Sequence, residues 1–155
     1  MEILNNSWVI EIISNTKNKI LFDTEKCEVS IDWLNVSHPW EFEKSGILLE
    51  AKEYNNIIFY SFTIDSKHLV IISNDSFELK EEILSFFWDV DVLIIVWSKE
   101  SAKIFESIEA RLVVPYGAWK QLFLTILWQH TEVVSSYKVK WEMSDDTSEF
   151  VNLED

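Results

Sequence analysis

Nucleophilic or metal chemistry needs several reactive side chains within reach of one another, and this sequence offers a thin set: one cysteine, Cys27, and three histidines, His38, His68 and His130. Cys27 opens the alternation Cys27, Val29, Ile31, Trp33 against Glu28, Ser30, Asp32, which gives a strand with one dry and one wet face. It is therefore expected to point inward as a small apolar residue, with no neighbouring base to lower its pKa. His38 precedes Pro39 and His68 follows Asp65-Ser66-Lys67, both loop contexts, while His130 ends a helical stripe where an imidazolium meets the negative helix terminus. There is no Cys-x-x-Cys and no His-x-x-x-His. With Gly46 and Gly117 the only glycines, there is no phosphate cradle or nucleophile elbow either. The sequence predicts no catalytic residue, no metal and no cofactor.

Carboxylates are abundant, so their neighbours decide their meaning. Asp89 and Asp91 share a parity just before the apolar run Val92 to Trp97 and fall on one face if that stretch is extended. They lie at the strand's N-terminal end, whereas open α/β sheets place ligands at the carboxyl ends, so a solvated connection is favoured over an acid/base dyad. Glu41 and Glu43 alternate with Trp40 and Phe42, a pattern suited to a protein interface for a basic partner. Glu142, Asp145 and Asp146 lie in a stretch from Glu142 to Asp155 with six acids and no base. The predicted partner-binding set is thus Trp40, Glu41, Glu43, Asp89, Asp91, Glu142, Asp145 and Asp146.

These groups must be held by a fold whose axis is Val92 to Trp97, too short for a membrane span and too continuous for a strand with one wet face. It reads as a central strand covered on both sides. Upstream, Ser7 to Ser14 and Lys19 to Asp23 form a hairpin, Cys27 to Trp33 a strand, Trp40 to Glu43 a short edge strand or loop, and Ile47–Ala51, Ile57–Ile64 and Leu69–Ser73 three antiparallel strands. Asp75 with Glu78 resembles a capping box, and Leu79, Ile83, Phe86 and Phe87 give a helical stripe. Ser98 is placed to cap a second helix from Lys99 to about Leu112, and Val113 to Gly117 break it. Trp119, Leu122, Phe123, Ile126, Leu127 and His130 then mark the inward face of a third helix. Tyr137, Val139, Trp141 and Met143 alternate as a last strand. Among the tryptophans, Trp33, Trp97, Trp119 and Trp141 are expected inside, and Trp8, Trp40, Trp88 and Trp128 less firmly so. The predicted class is α+β, an antiparallel β-meander of about five or six strands followed by helix-strand-helix-helix-strand, with the helices packed on the sheet. Residues 1–143 form the domain and residues 144–155 an acidic C-terminal tail.

A length of 155 residues at 48% hydrophobic is enough for one core. The lone cysteine excludes an internal disulfide, and the absence of a leader pattern or a long apolar segment leads us to expect a cytoplasmic protein without a membrane span. A net charge of -14 repels nucleic-acid phosphates and anionic lipid, and a single arginine, Arg111, leaves little for bidentate phosphate recognition. In this character the chain resembles the acidic immunity proteins of bacterial polymorphic toxin and contact-dependent growth inhibition systems. That resemblance implies a non-enzymatic protein that binds a cognate basic, nuclease-type toxin and blocks its active site, acids standing in for substrate phosphates. The rival readings are a small carboxylate-dependent enzyme, with a pocket at Asp89, Asp91 or His130, and an acidic nucleic-acid mimic or adaptor.

Overall fold

The computed structural model describes residues 1–98 and 100–155, and the fold is α+β. Five strands, β1 (Glu2–Asn6), β2 (Val9–Ile13), β3 (Lys19–Asp23), β4 (Glu28–Ile31) and β5 (Leu34–Val36), run antiparallel to their neighbours in chain order. The links are tight because polar residues at their tips accept a left-handed backbone, among them Ser7, Lys17 and Asp32, with φ of 61°, 70° and 54°. A second meander follows, β6 (Trp40–Lys44), β7 (Ile47–Tyr54), β8 (Ile57–Ile64) and β9 (Lys67–Ile72). A short helix α1 (Glu81–Leu84) then leads to β10 (Val92–Val96), α2 (Ser101–Ile108), β11 (Leu112–Tyr116) and α3 (Lys120–Ile126). The chain ends with β12 (Val133–Val134), β13 (Ser136–Lys138), β14 (Glu149–Phe150) and β15 (Asn152–Leu153).

Two sheets stack face to face. The first has the order β13-β1-β2-β3-β4-β5, and the second β14-β11-β10-β9-β8-β7-β6. In the second sheet β9, β10, β11 and β14 are mutually parallel, so their carboxyl ends lie at one edge of the sandwich. Period-two alternation explains the layering. Val92 and Ile94 of β10 enter the core between the sheets with Ile12, Ile20 and Phe22, while Leu93 and Ile95 enter a second core beneath the helices with Ile83, Ile104 and Phe123. The axis strand is therefore buried on both faces, as its unbroken apolar run requires.

Several expectations are corrected. Nine strands in two sheets, not five or six in one meander, precede the first helix. Asp75 caps no helix, since α1 starts only at Glu81 and has no side-chain cap. The second helix spans Ser101–Ile108, and Ser98 Oγ accepts a hydrogen bond from Glu100 N at 3.1 Å; Lys99, the expected helix start, lies outside the described residues. Leu112 to Tyr116 is a buried strand rather than a helix end and breaker. Pro115 is tolerated there because strand alternation turns its missing N–H toward β14, which pairs only with Leu112 and Val113. Trp33 is exposed at the two-residue β4–β5 turn, under the Lys44 ammonium at 4.1 Å, and Trp119 and Trp141 are exposed as well. Of the four tryptophans expected inside, Trp97 alone is buried. Of the stripe expected on the third helix, Phe123 is buried and Leu127 packs on the core, but Trp119, Leu122 and Ile126 are exposed, and Lys120 and Leu124 are buried instead. The final strand is short, and residues 144–155 are no free tail: Phe150, Val151, Asn152 and Leu153 are all buried.

Candidate functional site

The carboxyl ends of β9, β10 and β11 are where an open sheet with parallel strands presents backbone and loops to a ligand. At the end of β9 a cleft of about 260 Å³ opens between the two sheets, lined among others by Lys26 and Cys27 of the β3–β4 turn, Glu28 of β4, Tyr60 of β8, and Ser73 and Asn74 just past β9. Cys27 reaches it from a left-handed turn position (φ 57°), half-buried, and its thiol lies 3.7 Å from Ser73 O. It is on the inner side as expected, though at a turn rather than within a strand. Burial pushes this thiol's pKa up, the Ser73 contact offsets part of that, and Asp23 adds to the rise, so nothing around Cys27 activates it as a nucleophile. Tyr60 donates to Val36 O at 3.0 Å. Burial first, then the nearby Glu28 charge, pushes its pKa up to about 12.

Beside the cleft, the chain past β9 meets the chain past β10. The fully buried Ser101 accepts from Ser98 N at 3.0 Å, and its Oγ lies 2.7 Å from Val96 O and 3.0 Å from Asp75 Oδ2. Asp75 is thereby held at the strand ends. Tyr116, the last residue of β11, is 7% exposed, and its hydroxyl has no hydrogen-bond partner among the described residues. Its pKa is raised above the usual tyrosine value, by burial first and then by repulsion from Cys27 and Asp75 when these are ionised. An unpaired buried donor costs about 1–3 kcal/mol, so this hydroxyl is held at a cost to the fold.

The residues predicted from sequence sit elsewhere. Asp89 and Asp91 lie at the N-terminal end of β10, opposite the cleft. Asp91 Oδ2 accepts from His68 N at 2.8 Å, and its other oxygen is 3.4 Å from Arg111 and 3.5 Å from Lys67. Arg111 also meets Asp89 at 2.7 Å and Asp145 at 2.6 Å, so three of the predicted acids converge on one cation and tie strand ends together. Trp40, Glu41 and Glu43 are exposed on β6, the edge of the second sheet, with Trp40 stacked on His38. Glu142 and Asp146 are exposed. His68 is no loop residue: it lies in β9, with Nε2 2.8 Å from Ser61 Oγ. Sequence reading missed Ser73, Asp75, Ser101 and Tyr116 as a group. The one available signal was the polar run Ser73-Asn74-Asp75-Ser76 directly after a buried strand.

No protein-family model matches the sequence, and no curated protein is significantly similar to it. Among solved structures, a protein from Thermotoga maritima proposed to be a Zn-dependent hydrolase of the metallo-β-lactamase superfamily superposes with a TM-score of 0.72 at 11% identity, over 99% of this chain and 98% of that one. The likeness is one of fold, and it corrects the expectation of a non-enzymatic immunity protein that blocks a toxin. The two chains share this fold over nearly their whole lengths. The residues present do not fit a hydrolytic zinc, which needs three protein ligands of nitrogen, sulfur or carboxylate type. Among the described residues no three His, Cys, Asp or Glu side chains form a group that could hold a metal ion, and the carboxyl-end cluster offers hydroxyls, an amide, one carboxylate and one thiol. No helix among the described residues is long and apolar enough to cross a membrane.

Proposed function

We propose that this chain is a hydrolytic enzyme acting on a small molecule with a carbonyl or phosphoryl oxygen, bound at the carboxyl ends of β9, β10 and β11. The observation that carries the reading is the buried Tyr116 hydroxyl, without a hydrogen-bond partner among the described residues, at the same carboxyl-end edge of the sheet as Asp75 and the cleft residues Ser73 and Asn74. Whole-chain likeness to a proposed hydrolase supports the reaction class. In this reading the Tyr116 O–H donates to the oxygen on which negative charge develops, the role of an oxyanion-hole donor. Asp75, oriented by Ser101, accepts the proton of the attacking water. The cleft falls just below the roughly 300 Å³ at which drug-sized sites begin, so a small substrate or the end of a longer one is expected.

Chromogenic carboxylic esters, thioesters and phosphodiesters, offered to the purified protein, test the reading. One class should be turned over. Asp75→Asn should lower kcat/KM by about 10²–10⁴-fold, Tyr116→Phe by about 10²–10³-fold, and Cys27→Ser should leave it within a few-fold. If the wild type turns over none of the three classes, or Asp75→Asn keeps the full rate, the proposal fails.

A further inference from the structure

Strands β8 and β9 bring together a nucleophile and a base that the cleft does not use. Ser61 Oγ lies 2.8 Å from His68 Nε2, and this is its one side-chain hydrogen bond among the described residues. The other ring nitrogen, Nδ1, is 3.0 Å from Trp88 O and 3.2 Å from Asp89 O, in the link from α1 to β10. A carbonyl oxygen only accepts, so in the neutral ring Nδ1 carries the proton and the Nε2 lone pair faces the Ser61 hydroxyl, which donates to it. The backbone beneath the ring is fixed as well, since His68 N donates to Asp91 Oδ2 at 2.8 Å. A serine bonded to an imidazole whose far nitrogen is held by acceptors has the nucleophile, base and orienting group of an acyl-transfer site.

We propose that Ser61 and His68 form a second reactive centre, which takes small esters carrying a positive charge. The strand register selects the charge. Glu41, Glu50 and Ser61 are successive partners across β6, β7 and β8, so they stand in one row on one face of the sheet, and both carboxylates are exposed. The adjacent row on that face runs Glu43, Leu48, Thr63, His68; its first three members are exposed, which leaves the dyad open to solvent from that side. Neither row holds a lysine or arginine, and Lys52, in the row beyond Glu50, reaches Glu82 O at 3.5 Å. In the reaction Ser61 Oγ attacks the ester carbonyl and its proton passes to His68 Nε2. The ester C–O bond then breaks, and the imidazolium returns the proton to the departing alcohol. Water, losing a proton to His68 Nε2, next attacks the acyl-serine; the acid leaves and Ser61 Oγ recovers the proton. This centre is separate from the cleft, since His68 and Ser61 do not line it, and it passes through a covalent acyl-serine where the cleft uses water directly.

Fluorophosphonates trap such a serine: the Oγ–P bond forms, the P–F bond breaks, fluoride leaves and His68 takes the proton. The full chain is treated with two probes of equal size, one bearing a trimethylammonium group and one its neutral tert-butyl counterpart, and the adduct is located by peptide mass mapping. It should map to Ser61, with the cationic probe reacting about tenfold faster, at the low end of electrostatic steering. Ser61→Ala should abolish the adduct. His68→Gln, checked for an unchanged circular dichroism spectrum and melting temperature, should slow its formation by about 10²–10⁴-fold. Glu50→Gln should narrow the gap between the two probes while leaving the neutral one unaffected. No adduct at Ser61, or a folded His68→Gln that labels at the wild-type rate, would overturn the proposal whatever the cleft does with its own substrates. Equal rates for the two wild-type reactions would overturn the substrate charge.

Discussion

A phenol buried without a hydrogen-bond partner destabilises a fold, and Tyr116 carries one at the end of a central strand. Tyr116→Phe keeps the ring that meets Phe22 edge-on at 5.5 Å and removes only the stranded hydroxyl. We expect it to raise the unfolding free energy by about 1 kcal/mol while lowering turnover, the opposing pair of effects typical of a residue kept for function. The pH dependence follows from the same burial. The folded-state pKa of Tyr116 lies above its unfolded value, so its protonated form is favoured by folding. That stability is complete below about pH 10 and is lost as the pH rises and the unfolded phenol ionises. Tyr60, pushed up to about 12 mainly by burial, acts in the same direction. Urea titrations between pH 8 and 11 should show the wild type weakening above pH 10, with a shallower decline in Tyr116→Phe. Equal slopes would show that this phenol is not the group responsible. None of this is readable from the sequence, where Pro115-Tyr116-Gly117 looks like a helix breaker. Asp75 is legible as a group that binds something locally, but its partner, Ser101, comes from beyond the next strand.

Among the elements, β10 is the easiest to find because both of its faces are apolar, and a run of that kind can satisfy its backbone only inside a sheet. Ile94→Ala opens a cavity between the two sheets, where relaxation is limited, and should cost about 2–5 kcal/mol. Trp33→Ala, at an exposed turn with only the Lys44 contact to lose, should cost about 1 kcal/mol or less. Chemical unfolding of the two variants checks the ranking, and a larger loss at Trp33 would contradict this account of the core. The hairpins were equally legible, since turn residues separate alternating runs. By contrast β11 was hidden by Pro115, whose cost disappears only because β14 is two residues long. Helix α3 was found, but its phase was not. Apolar residues occur on both of its sides, and the sequence cannot reveal that a lysine is carried inside by a carbonyl and a carboxylate from the far end of the chain.

That lysine makes the whole molecule depend on its last residues. Lys120 is 3% exposed, and its ammonium donates to Leu153 O at 2.7 Å and to Asp155 Oδ1 at 2.5 Å. The same segment adds β14 to the second sheet and pairs β15 with β12, burying Phe150, Val151 and Leu153. Composition alone suggests a solvated acidic tail over 144–155, because five acids without a base outweigh three apolar residues in any local reading. The fold reverses that reading by supplying a sheet edge and a buried cation, neither of which is local in sequence. A chain ending at Ser148 would lose about 1.5–3 kcal/mol for each large apolar side chain no longer buried. It would also leave an uncompensated buried charge, a further loss of about 3–5 kcal/mol. Together these approach the whole stability of a small domain, about 5–15 kcal/mol, so the truncated chain should lack a cooperative unfolding transition in urea. Lys120→Met separates the two terms. In the full chain it should be close to neutral, since an apolar side chain of similar length replaces a paired buried charge. In the truncated chain it should restore part of the transition by removing the unpaired ammonium. If truncation left the urea midpoint unchanged, the C-terminal strands would be decoration on a fold complete without them.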